Sequence, residues 1–213
     1  MKIKWLGHAS FLITSDKGIK IITDPYTTGG PLAYGEITEA ADIVTVSHGH
    51  GDHNNPGAVR GNPQILKGSA TVKGIDFQAI AVFHDEANGS KRGTDTIFCF
   101  QVDGVKVCHL GDLGHALSQQ QVDALGRVDV LLIPVGGYYT IDVPTATRVA
   151  GQLKPKVIIP MHYKTDKCTY PITVVDDFLK GKQNVKKPDA SEVELRAGGL
   201  PAETQIIVLK HAL

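Results

Sequence analysis

His48, His50, Asp52 and His53 place three imidazoles and a carboxylate within six residues, spaced by Gly49 and Gly51. A packed core has no use for that concentration of polar rings, whereas a divalent cation does. Neutral imidazole and ionised carboxylate are both good ligands for zinc-like ions. If the loop is open, His48 and His50 can face one ion while Asp52 and His53 turn toward another. The bland alternative is a polar surface turn that merely contains histidines.

Further donors recur at a fixed kind of place, the end of an apolar run. Ile43 to Val46 precedes His48, and Ile80 to Phe83 precedes His84. Val105 to Cys108 precedes His109-Leu110-Gly111-Asp112, and Val157 to Pro160 precedes Met161-His162. Strand ends that project from one edge of a sheet are where an open αβ architecture builds a site, and rigid strands hold ligands closely. Together His48, His50, Asp52, His53, His84, Asp112 and His162 supply five imidazoles and two carboxylates, enough for two metals sharing a carboxylate.

The surrounding pattern supports this reading. Ile3 to Trp5, Phe11 to Thr14, Ile19 to Thr23, Ile43 to Val46 and Phe77 to Phe83 read as strands. Asp103-Gly104 marks a hairpin between Thr96 to Val102 and Val105 to His109. Ser118 to Gln121 reads as a capping box that opens a helix to Leu125, with Gly126 as its stop. Val128 to Ile133 reads as a buried strand, Thr145 to Leu153 as a helix and Val157 to Ile159 as a strand. A short helix over Val174 to Leu179 and a closing strand over Gln205 to Leu209 complete the pattern.

At 213 residues the chain suits a single domain spanning 1–213, and no linker divides it. Lys plus Arg equals Asp plus Glu at 22 each, so no bulk field favours nucleic acid or an anionic membrane. No apolar stretch approaches the ~20 residues needed for a membrane span. Three cysteines, Cys99, Cys108 and Cys168, do not make a disulfide framework. Cys99 and Cys108 read as buried thiols, and a reducing cytoplasm is the expected compartment.

In this order the motifs resemble the metallo-β-lactamase superfamily, whose HxHxDH motif stands at His48 to His53. The resemblance covers essentially the whole chain. It implies an α/β (α+β) fold, a four-layer αββα sandwich with metals at one edge between the sheets. It also implies one metal held by His48, His50 and His84, and a second by Asp52, His53 and His162, with Asp112 bridging. Leu6 to Phe11, Thr23-Asp24-Pro25, Gly111 to Gly114, Pro134 to Gly137 and Met161-His162-Tyr163 resemble the smaller hydrolases related to L-ascorbate-6-phosphate lactonase. Asp112 stands where many true β-lactamases carry cysteine, which weakens an antibiotic-resistance reading.

The chemistry implied is hydrolysis by a metal-bound hydroxide in a dinuclear site, on a small lactone or other ester. The cofactors expected are two divalent ions, zinc first, with manganese, iron or nickel compatible with the same ligands. Asp112, Asp52 and His8 are the expected catalytic residues. His8 could orient substrate, donate a proton or bond a backbone carbonyl. Asp24 suits the role of acceptor for a ligand imidazole N–H, or of a turn initiator before Pro25. Asp85 or Glu86 could replace His84, and His115 could stand at the pocket mouth. Gly136 and Gly137 could present amides to an oxyanion, Tyr138 or Tyr139 could line the pocket, and Lys164 could bind an anionic group. His109 reads as structural and His211 as solvated. Phosphodiester hydrolysis and a non-catalytic metal-binding module are the alternatives. The partner expected is a small-molecule substrate, with no nucleic acid and no membrane span; a homo-oligomer rests on analogy alone.

Overall fold

The computed structural model describes residues 1–213. The N-terminal alternation forms β1 (Lys2–Gly7), β2 (Ser10–Thr14), β3 (Lys20–Thr23) and β4 (Ile43–Thr45), followed by β5 (Gln64–Leu66). Next come β6 (Ala70–Val72), β7 (Ile75–Phe83), β8 (Thr94–Val102), β9 (Val105–His109) and α1 (Gln119–Leu125). The chain continues through β10 (Val130–Pro134), α2 (Val143–Leu153), β11 (Val157–Met161) and α3 (Val175–Leu179). It closes with β12 (Val185–Lys186), β13 (Glu192–Glu194) and β14 (Gln205–Ile207).

These strands build two large mixed sheets, one of six strands in the order β13-β1-β2-β3-β4-β5 and one of eight in the order β12-β14-β11-β10-β9-β8-β7-β6. Side chains on a strand alternate faces, and the burial follows. Ile3, Trp5, Phe11, Ile13, Ile21 and Ile43 enter the main core with Phe98, Phe100 and Leu132 of the second sheet. Leu6, Leu12, Ile22 and Val44 point the other way, onto Tyr26, Leu32, Tyr34 and Ile37. The outer cover of the six-stranded sheet is therefore the irregular segment after β3. On the eight-stranded sheet α1 lies against β7 and α2 against β10, with α3 beside α2.

Local signals account for most boundaries. Asp103 and Gly104 adopt φ of 50° and 77°, as a tight hairpin between β8 and β9 requires. Ser118 accepts from the Gln121 N–H while the Gln121 side chain accepts from the Ser118 N–H, and Gly126 ends α1. The second helix begins two residues before Thr145, because Asp142 caps it through the Thr145 N–H and Pro144 suits the first turn. Strand β11 runs past Ile159 through Pro160 to Met161. Its neighbour β14 pairs only with Val157 and Ile158, so the proline, which has no N–H, interrupts no ladder on that side. Cys99 and Cys108 are buried, unbridged and opposite one another on β8 and β9.

Candidate metal centre

Every sequence-predicted metal ligand reaches one place. The 48–53 loop follows β4, His84 follows β7, Asp112 lies three residues beyond β9, and His162 follows β11. The two sheets thus contribute their strand ends to a common edge. Asp112 stands at the middle, 2% exposed. Its Oδ1 lies 3.1 Å from His53 Nε2 and 3.4 Å from His162 Nε2. Its Oδ2 lies 3.2 Å from His84 Nε2 and 3.8 Å from His48 Nε2. One carboxylate therefore faces two separate donor groups.

Those groups are His48, His50 and His84 on one side, and Asp52, His53, His162 and His8 on the other. Each offers ligand atoms within 4.8 Å of one another, so each could hold a cation. The hydrogen bonding supports the fit. His53 Nε2 and Asp112 Oδ1 are buried without a hydrogen-bond partner, although buried polar atoms normally find one. Nitrogen and oxygen donors without thiolate suit a zinc-like divalent ion.

Burial and charge act in opposite directions here. Burial favours the neutral form of Asp112, but His162 and His53 outweigh it and hold the carboxyl well below its ordinary range. Burial likewise opposes charge on His53, yet Asp112 and then Asp24 raise its pKa well above the usual value. Burial followed by His162 pushes the His8 imidazole down to about 3.

Asp24 occupies the supporting position that its sequence context allowed. Its Oδ1 accepts from the Ser47 N–H at 2.8 Å, and its Oδ2 lies 2.8 Å from His53 Nδ1. That contact directs His53 Nε2 toward Asp112 and fixes which ring nitrogen carries the proton. Replacing Asp24 by Asn is expected to weaken metal binding about 10–100-fold. Competition against a chelating dye measures this, and unchanged affinity would exclude the supporting role.

The other candidates separate clearly. His8 is fully buried, with Nε2 3.4 Å from Asp52 Oδ2 and its ring 4.1 Å from that of His162. It stands behind Asp52, with both ring nitrogens free of any carbonyl bond. Asp85 does not replace His84, because its carboxylate accepts from the N–H groups of Ala87, Gly89, Lys91 and Arg92. His115 does not present a free imidazole at a pocket mouth. Its Nε2 accepts from the Phe83 N–H and its Nδ1 lies 2.8 Å from the Ala116 carbonyl. His109 is structural as expected, bonded through Nε2 to the Ala9 carbonyl. His211 is not simply solvated: Nε2 pairs with Asp166 at 2.9 Å and its ring lies edge-on to Tyr34. The Gly136 N–H is not free for an oxyanion, since it donates to the His162 carbonyl. Lys164 is exposed and Tyr138 projects outward, 65% exposed.

A cavity of about 270 Å³ opens onto the cluster, lined by His50, Asp52, His84, Asp112, Arg92, Tyr139 and Tyr170. Arg92 and Tyr170 were not singled out from sequence, nor was Asp95. Asp95 is buried in β8 with Oδ1 3.2 Å from His48 Nδ1, near enough to bias that ring by charge, although the hydrogen bond of His48 Nδ1 is to Ser47 Oγ at 3.0 Å. A carboxylate buried within a strand is the one sequence signal that points to it.

Comparison with known proteins agrees with this geometry. Residues 2–162 match the family model described as the beta-lactamase superfamily domain. The UPF0173 metal-dependent hydrolase of Archaeoglobus fulgidus is 34% identical over 93% of this chain and 97% of its own. That of Pelotomaculum thermopropionicum is 30% identical over 93% of this chain and 98% of its own. A crystal structure of a metallo-β-lactamase superfamily protein from Thermotoga maritima superposes with a TM-score of 0.80 at 40% identity, covering 98% of this chain and 97% of that one.

Proposed function

Because this chain belongs to the beta-lactamase superfamily, as a metal-dependent hydrolase of the metallo-β-lactamase type, we propose that it hydrolyses a small lactone or other ester at a two-metal centre. The observation that carries this reading is the division of donors about Asp112, with its two oxygens turned toward different sets of imidazoles. In this reading His48, His50 and His84 hold one ion, Asp52, His53 and His162 hold the other, and Asp112 serves both. Two bound divalent ions would supply Lewis acidity, activating water near neutral pH and polarising the substrate's reacting oxygen.

The chain's own residues do the positioning. Asp24 orients His53 directly, and Ser47 Oγ, which donates to Asp24, lies 3.0 Å from His48 Nδ1. His8, kept neutral by burial and by His162, steadies Asp52 from behind, and Tyr170 Oη donates to the same carboxylate at 3.4 Å. The cavity, just below the ~300–1,000 Å³ typical of ligand pockets, favours a small molecule over a polymer. No helix is long and apolar enough to cross a membrane.

The test is metal removal followed by reloading. Dialysis against a chelator is expected to abolish turnover across a panel of lactones, carboxylic esters and aryl phosphodiesters. Zinc, manganese, iron or nickel is then returned separately, and the substrate restored first identifies the class. Two ions per chain by elemental analysis accompany full activity. Full turnover by demonstrably metal-free protein would overturn the reading.

A further inference from the structure

The cavity wall carries a cation that the metal centre does not use. Arg92 lines the cavity beside His50, Asp52 and Asp112 and is half-buried. Its guanidinium forms no ion pair within the chain. Its neighbour is instead the Tyr139 ring, whose centroid lies 5.4 Å from Cζ. A cation–π contact of this kind uses none of the guanidinium's N–H groups as donors to an acceptor atom, which leaves them available for a two-oxygen partner. A partly desolvated cation without a counter-charge is unfavourable unless something supplies one.

The loop is also built to hold this arginine still. Asp85, 3% exposed, gathers four backbone N–H groups from Ala87, Gly89, Lys91 and Arg92. The Gly93 N–H donates to Gly89, and the His84 N–H donates to the Gly93 carbonyl, closing the loop on the strand that ends in a ligand histidine. The Arg92 backbone is thus tied to the segment that carries His84 before any ligand arrives, and such pre-placement reduces the entropic cost of binding.

We propose that Arg92 recognises a second, non-reacting oxyanion on the substrate, a carboxylate or phosphate group held at a set distance from the bond that is cleaved. The inference rests on the cavity being the active site and deepens that reading by naming the substrate class. The substrate is then an ester or lactone with an anionic arm, the reacting end toward Asp112 and the arm against the Arg92–Tyr139 wall.

The test separates binding from turnover. Metal-loaded wild type, Arg92→Ala and Arg92→Lys are titrated calorimetrically with monocarboxylates and with dicarboxylates from malonate to pimelate. A second arm uses ω-phosphono carboxylates of matching length. Wild type is expected to bind a dianion of one preferred length about 10–100-fold more tightly than the monocarboxylate, the range for a charge-assisted hydrogen bond. Arg92→Ala should bring the ratio below about threefold while leaving metal content unchanged. Arg92→Lys should restore part of it, since a point charge replaces a fork. The larger gain between the carboxylate and phosphono arms identifies the oxyanion. No preference in wild type, or one that survives in Arg92→Ala, overturns the proposal. If the Arg92-dependent preference holds while the metal-loaded enzyme turns over no ester or lactone, the hydrolytic reading fails and the recognition site stands.

Discussion

Asp112→Ala is expected to strip metal from the proposed two-ion centre, leaving one ion or none, and to reduce hydrolysis about a thousandfold or more. The magnitude follows from the several kcal/mol a metal centre supplies to charge stabilisation. The reason for so large an effect lies in placement. Asp112 is the single anion between His53, His84, His162 and His48, all within 3.8 Å of its oxygens. Without it, four imidazoles converge on a position that has lost its negative charge, and two cations would face each other unscreened. Asp112→Asn keeps the shape and tests the charge alone. Elemental analysis and assays on the reloaded variants decide the matter. Two ions and undiminished turnover in Asp112→Ala would remove this residue from the centre.

A second large effect is expected from a substitution that touches no ligand. A Cβ on Gly114 would stand 2.1 Å from the Asp85 nitrogen and 2.2 Å from the His84 carbonyl carbon. The Gly114 N–H also donates to the Phe83 carbonyl at 2.9 Å, so the two segments are tied where they meet. Backbone cannot yield as a flexible side chain does. Gly114→Ala must therefore push the 83–85 segment away from the turn that carries Asp112. Overpacking of this kind costs about 3 kcal/mol or more, which lowers the melting temperature of a chain this size by roughly 6–12 °C. The same displacement separates His84 from Asp112, and metal affinity should fall with it. Thermal unfolding with and without zinc checks both parts; a variant matching wild type in each would refute the close approach.

The candidate ligands were legible because their chemistry is local. HxHxDH compresses four donors into one loop, and the remaining three each follow an apolar run whose end a single sequence reveals. The capping box at Ser118 and the Asp103-Gly104 hairpin are likewise short-range statements. What stayed hidden depends on register between distant segments. Asp95 reaches the metal edge only because β8 pairs with β7 so that Asp95 lies opposite Val82, two residues before His84. Arg92 matters only because Asp85 draws its loop inward, and nothing in the order of residues 85–92 announces that. The short edge strands were missed for the same reason. Glu192–Glu194 alternates over only three residues, too few to mark a strand, and becomes β13 by pairing with Lys2 to Lys4 across the length of the chain. His115 and Gly136 were over-read, since a histidine or glycine near a motif looks available until its backbone partner is seen.

The ligands follow strand ends of two sheets, whereas Arg92, Tyr139 and Tyr170 ride on connecting loops. In the proposed reading, reactivity and selectivity are consequently separate modules of the architecture. Loop sequences can drift, lengthen or be exchanged between relatives while the inorganic core persists, so enzymes sharing this scaffold can diverge in diet without reinventing their chemistry.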